Sequence, residues 1–190
     1  MLSAIEVTTL KSNIERYEGR VPHLYLDSRG FVTVGVGHLL SSAAKAQELA
    51  FVTDSGESAT TEMIAEEYKQ IAEQEANHAA IYYQSFTQLR LSDSAIDQLT
   101  EKHIDSFYTE LKTIYSEFDS FPTDIKLALF DLIFNLGMTN LRKKWPKLNG
   151  CIAAKDWNSA AENCRRRGIA DERNEYVKAL LLNGANTAIV

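Results

Sequence analysis

The segment Asp124 to Leu136, DIKLALFDLIFNL, is apolar on nearly every side of a helical wheel. Such a helix cannot lie on a surface. Other elements have to wrap it, so the chain must supply a shell of amphipathic helices. Pro122 before it and Gly137 behind it mark its ends. Ile5, Leu10, Ile14 and Tyr17 fall at spacings compatible with one face of a short helix over 3–17. Ile96, Leu99, His103, Phe107, Leu111 and Ile114 advance by threes and fours through a long helix from Ser92 to about Tyr115. Another helix is expected to open at Thr60 and Thr61, ahead of an acidic first turn with Glu62, Glu66 and Glu67. It should run into the eighties and tie the small β region to the rest. Shorter helices are expected from Ser41 through Leu49, around Trp157 and Ala160, and from Asp171 to Asn183, ended by Gly184.

One stretch departs from this helical pattern. Residues 18–38, EGRVPHLYLDSRGFVTVGVGH, contain two short aromatic and β-branched runs, His23–Asp27 and Phe31–Val36. Between them, Ser28-Arg29-Gly30 has the chemistry of a hairpin turn. A third short strand is expected near the polar loop Asp54-Ser55-Gly56. The pattern as a whole predicts one α+β, mostly helical domain over 1–190. A small lobe, about 18–62, carries a short antiparallel sheet, and a long helix joins it to a larger helical lobe, about 84–190, that includes the helix over 3–17.

Composition narrows the partners. Twenty basic against 26 acidic side chains give a net charge of −6, which argues against a nucleic-acid partner, because neutralising phosphates needs clustered Lys and Arg. The one basic run, Arg165-Arg166-Arg167, reads as a solvated helix end favoured by the macrodipole. No apolar run approaches the roughly 20 residues that span a bilayer. The start, MLSAIEVTTLKSNIERYEG, lacks the basic and apolar regions of a Sec signal. Cys151 and Cys164 have no C-x-x-C spacing and read as small buried hydrophobes without a bridge.

The hairpin stretch carries the candidate chemistry. Eight residues separate Glu18 from Asp27, and five separate Asp27 from Thr33. Breaking a glycosidic bond needs a proton for the leaving oxygen and, across the sugar, a base for water or a nucleophile; two carboxylates can supply both. A helix-end glutamate beside apolar side chains suits the donor, and an aspartate among hairpin polar groups suits the other role. A threonine hydroxyl one strand away can donate and accept, and so can hold a water. An acid pair at this spacing arises readily by chance. What singles this one out is Gly30, Gly35 and Gly37, which relieve backbone crowding where two strands turn back.

The pattern of Glu18, Gly19, Tyr25, Asp27, Gly30, Thr33, Gly35, Gly37 and His38 resembles the phage lysozymes of glycoside hydrolase family 24, the T-even endolysin type. Phe134-Asn135-Leu136-Gly137 is similar to that family's F-N-x-G, and Lys155 to Ala161, KDWNSAA, to its late K-x-W-x-x-A-A segment. The resemblance implies a lysozyme-like fold and a muramidase that cuts peptidoglycan between N-acetylmuramic acid and N-acetylglucosamine, by direct attack of water with inversion. By the same resemblance Glu18 is the general acid, Asp27 positions or activates the water and Thr33 binds it. Leu39, Phe134 and Asn163 fall where the family lines its saccharide cleft; Phe134 reads equally well as a core side chain. His38 would be a structural ion-pair partner. Its usual aspartate is not evident, since Tyr68-Lys69-Gln70-Ile71 holds no acid, which leaves Glu67 or Glu73.

The resemblance implies no cofactor and no metal. The partners expected are peptidoglycan glycan strands, met by a monomer without stable membrane insertion, and an accessory delivery machine or immunity protein. The site of action would be the periplasm or cell wall, reached through a holin or a secretion system. The interval from Glu18 to Gly137 is longer than in the compact phage enzymes, and the extra length falls between Asn77 and Phe121. A charge of −6 also opposes approach to an anionic wall. Both features suit the lysozyme domain of a secreted antibacterial toxin, such as a type VI secretion effector, as well as a free endolysin. Two rival readings share the fold: a lytic transglycosylase, which needs one acid and no base, and a wall-binding module that has lost activity.

Overall fold

The computed structural model describes residues 2–187. In chain order these form α1 (Ala4–Glu18), β1 (Val21–Leu26), β2 (Val32–Gly35), β3 (His38–Leu39), α2 (Ala43–Gln47), β4 (Phe51–Thr53), α3 (Thr61–Ala72), α4 (Ala80–Tyr83), β5 (Leu89–Leu91) and α5 (Asp93–Ile114). There follow α6 (Thr123–Leu136), α7 (Met138–Lys144), α8 (Pro146–Ala153), α9 (Trp157–Glu162) and α10 (Asp171–Thr187). This is the mostly helical α+β, lysozyme-like class expected from the sequence. The chain gathers into two compact units. Ile14–Lys102 forms one, and the residues up to Asn13 with those from His103 onward form the other.

In the helical unit every residue of α6 from Ile125 to Ile133 is buried, as a helix apolar on all sides requires. α10 packs along it. Gly184 does not end α10 but lies inside it, buried. A methyl group there would collide with Ile125, so the glycine serves close approach of two helices rather than termination. At the start of α1, Ser3 and Glu6 form a reciprocal capping box: Glu6 N donates to Ser3 Oγ at 3.2 Å and Ser3 N to Glu6 Oε2 at 2.7 Å. The other Glu6 oxygen accepts from Thr123 Oγ1 at 3.0 Å and lies 3.4 Å from Lys126 Nζ. Leu10 is buried, but Ile5, assigned by spacing to the same face, is 77% exposed.

In the other unit, β1, β2 and β3 make an antiparallel sheet in that order, and β4 pairs with β5. The register sets Tyr25 against Thr33, and Thr33 against Leu39. Directly paired residues share a sheet face, so these three form one row across it. α3 opens as expected, with Thr60 Oγ1 accepting from Met63 N at 3.3 Å. It ends at Ala72 instead of running into the eighties. Residues 73–92 fold back as α4, a single 3-10 turn (Gln84–Phe86) and β5. Tyr83 is buried completely and its hydroxyl donates to Glu75 O at 2.8 Å. The long helix that passes from one unit into the other is α5.

Candidate active site

Glu18 is the last residue of α1, half-buried. Gly19 N still donates to Glu15 O at 3.0 Å, so the helix closes on the residue after the glutamate. Arg20 then fixes this corner. Its guanidinium donates to Glu15 Oε1 at 2.5 Å, Asp97 Oδ1 at 2.9 Å, Asp93 Oδ1 at 3.1 Å and Asp93 O at 2.8 Å, tying the end of α1 to the start of α5. Arg20 lies within the motif, yet nothing in its spacing marks it as the clamp, because Asp93 and Asp97 lie more than 70 residues along the chain.

Asp27 shapes the hairpin and keeps one oxygen for other work. Its Oδ1 accepts from the backbone N–H of Arg29 and of Phe31, each at 2.9 Å. Asp27 N donates to Phe31 O and Gly30 N to Asp27 O, both at 2.9 Å. Gly30 sits at φ +81°, in the left-handed region this tight return needs. Among the described residues Oδ2 meets the Arg29 guanidinium at 3.4 Å, and that side chain is 68% exposed. Thr33, next along β2, is buried and donates its hydroxyl to Phe31 O at 2.9 Å. Its oxygen lone pairs remain available to accept.

Two observations bring Glu18 to this hairpin. Gly37, at φ +86°, leaves its β position about as near as van der Waals contact to Glu18 Oε2, at 3.9 Å. Tyr25 in addition feels both carboxylates. Its hydroxyl is pushed up to about 12, first by burial, then by Glu18, then by Asp27. Tyr25 is thus a neutral donor within reach of both fields, and it pairs across the sheet with Thr33.

A sequence model of the family described as phage lysozyme matches residues 15–181. The chain belongs to that family. It is 26% identical over 157 residues, 82% of its length, to "Probable T4-type lysozyme 2" of Dictyostelium discoideum, of which that stretch covers 81%. It is 24% identical over 175 residues to "Probable T4-type lysozyme 1" of the same organism, covering 86% of this chain and 93% of the relative. Membership of the phage lysozyme family supports peptidoglycan hydrolysis in general and implies glycosidase activity of the lysozyme type.

The other residues singled out by the phage lysozyme motif differ in their surroundings. Leu39 shares the unit of Glu18, Asp27 and Thr33, in the row with Thr33, and is 39% exposed. Phe134 and Asn163 belong to the helical unit. Phe134 is half-buried in an aromatic cluster, 5.5 Å from Phe107 and 6.2 Å from His103 between ring centroids. Asn163 closes α9, its amide donating to Ser159 O at 2.8 Å. Burial and then Lys102 lower the pKa of His38. Of the two acids offered to His38, Glu67 accepts from Gln88 N and Leu89 N through one oxygen, and Glu73 faces Lys69 at 3.9 Å.

The basic run Arg165-Arg166-Arg167 is no solvated helix end. It lies beyond α9, and Arg166 is buried, donating to Asp131 Oδ1 at 2.6 Å. Cys164 is buried and Cys151 half-buried, both as free thiols. Among the described residues no helix is long and apolar enough to cross a membrane, and no cluster of three or more His, Cys, Asp or Glu could hold a metal.

Proposed function

We propose that this chain is a muramidase that hydrolyses the bond between N-acetylmuramic acid and N-acetylglucosamine in peptidoglycan, and that its action lyses bacterial cells. The observation that carries this reading is the common neighbourhood of Glu18, Asp27 and Thr33 around Tyr25. Glu18 closes a helix beside Gly37, Asp27 holds the hairpin with one oxygen and presents the other, and both act on the same phenol. Glu18 gives its proton to the leaving oxygen. Asp27 Oδ2 draws a proton from water while Thr33 accepts from that water, and the water attacks the anomeric carbon from the face opposite the leaving group. The glycosidic C–O bond breaks as the new C–O bond forms, and the proton from water ends on Asp27. Tyr25, neutral throughout, donates a hydrogen bond to the sugar or to the water. Leu39 offers an apolar contact beside this row, and Phe134 and Asn163 are further saccharide contacts.

The same proposal extends to place and partners. A monomer meets the glycan in the periplasm or wall after a holin or a secretion machine has delivered it. An immunity protein would protect the producing cell if the chain is a type VI effector.

Digestion of purified peptidoglycan by wild type and Glu18→Gln, with products read by mass spectrometry, tests the chemistry. The glutamine keeps the shape and removes the transferable proton, so hydrolysis should fall by roughly 10²–10⁴. Wild-type products should carry free reducing ends. Full activity in folded Glu18→Gln would refute the assignment, anhydro sugar ends would select the transglycosylase, and an inert wild type would leave only a binding module.

A further inference from the structure

Immediately before β2, the backbone of Phe31 holds both hairpin residues of the proposed site. Its N–H donates to Asp27 Oδ1, and its carbonyl accepts from Asp27 N and from Thr33 Oγ1, each bond measuring 2.9 Å. None of these bonds uses the side chain, which is 48% exposed. Among the described residues of the three-stranded sheet and its turns, Phe31 and Leu39 are the large apolar side chains left exposed, while Leu24, Leu26, Val32 and Val34 are buried. Alternation explains where the phenylalanine falls. Val32 pairs with Leu26 on the buried face, and Thr33 pairs with Tyr25 and Leu39 on the other. Phe31, two residues before Thr33, belongs to the face of Thr33, roughly 7 Å along the strand from it.

A single exposed apolar side chain needs no explanation. These two are not scattered, because they flank Thr33 on one face, and that face is where the proposed reaction takes place. A polymer cut at one bond carries further rings on either side of it, so sugar rings have to lie along this face. The face of an aromatic ring carries partial negative charge and attracts C–H groups, which one side of a pyranose presents. The Arg29 guanidinium already uses that charge, 5.1 Å from the ring centroid. Its side chain is 68% exposed, so it is held too loosely to close the ring off.

We infer that Phe31 is a saccharide platform: one pyranose ring of the glycan strand, next to the bond that is cut, stacks on its side chain. The inference rests on the muramidase reading for its occupant. It assigns to Phe31 the grip on the strand and not the chemistry, since alanine, leucine or tyrosine at this position keeps the backbone bonds to Asp27 and Thr33.

The test titrates glycan strands, freed of their peptides by an amidase, into Glu18→Gln, with binding followed by calorimetry. Adding Phe31→Ala should weaken binding at least about fivefold, and Phe31→Leu, apolar but without a ring, at least about threefold. Phe31→Tyr keeps the ring and should bind within about twofold of the parent. A thermal melt checks each fold, and should Phe31→Ala unfold, Phe31→Leu decides. In turnover of the otherwise wild-type chain, Phe31→Ala should raise KM at least about fivefold and leave kcat within about twofold. A side chain that merely steadied Asp27 would lower kcat instead. Arg29→Ala should bind within about twofold of the parent; a loss equal to that of Phe31→Ala would give the contact to the guanidinium and overturn the platform. So would strands that do not bind Glu18→Gln, undiminished binding to Phe31→Leu, or a fall in kcat alone. The muramidase reading fails separately, if wild type leaves peptidoglycan intact while the strands still bind through Phe31.

Discussion

Two groups of charges, one in each unit, are built to opposite ends. In the helical unit, Asp131 of α6 accepts from Arg166 Nη1 at 2.6 Å through one oxygen and from Arg173 Nε at 2.9 Å through the other, with side chains 7%, 1% and 9% exposed. Asn174 closes the ring, accepting from Arg166 N and donating to Arg166 O, both at 3.0 Å. Both carboxylate oxygens are thus taken up inside the protein. In the hairpin, Asp27 commits one oxygen to two backbone N–H groups and leaves the other to an exposed arginine at 3.4 Å. A carboxylate satisfied on all sides holds a fold together; one held firmly on one side and open on the other can do chemistry.

The largest expected effect separates the two groups directly. Glu18→Gln should lose roughly 10²–10⁴ in hydrolysis while its unfolding free energy moves by less than about 1 kcal/mol, since the change is isosteric and the glutamate only half-buried. Asp131→Asn should do the reverse in kind. It strips two buried guanidinium groups of their shared counter-charge, and breaking a buried pair costs about 3–5 kcal/mol. Urea unfolding of both variants measures the contrast. If Glu18→Gln proved as destabilising as Asp131→Asn, Glu18 would belong with the structural charges.

A smaller effect probes why sequence patterns misjudge the helical unit. Gly184 reads as a helix stop because glycine usually is one, but it faces Ile125 of α6, which is fully buried and cannot move aside. Gly184→Ala gains up to about 1 kcal/mol of helix propensity and meets an overpacking cost of about 1–3 kcal/mol. The net should be a modest loss of stability in thermal unfolding, and a gain would show that the two helices can part.

The hairpin was legible in the sequence because its determinants are local: Asp27, Gly30 and Phe31 close one turn through bonds spanning four residues or fewer. The buried helix α6 was legible because apolar residues on every side permit one environment only. What stayed hidden depends on distant partners. The end of α3 at Ala72 follows from the return of β5 to β4, a pairing between Phe51 and Leu91 that no local pattern contains. Arg166 looked solvated because its acceptor Asp131 stands 35 residues away. α7 and α8 carried no usable periodicity, being short and divided at Pro146. The Ser3–Glu6 capping box could have been found, since its S-x-x-E spacing stands in the first turn.

The smallest expected effect returns to the hairpin. The Arg29 guanidinium lies 3.4 Å from Asp27 Oδ2, yet its side chain is 68% exposed, and it also lies over the Phe31 ring at 5.1 Å. Exposed pairs of this kind contribute about 0–1 kcal/mol, because water screens them and two side chains must be held still. Arg29→Ala keeps the backbone N–H that Asp27 Oδ1 accepts, so the turn survives. Its unfolding free energy should change by no more than about 0.5 kcal/mol, whereas Arg166→Ala should approach the loss seen in Asp131→Asn. Comparable losses for the two arginines would mean that the hairpin is held by its ion pair after all, and that the open oxygen of Asp27 is already spoken for.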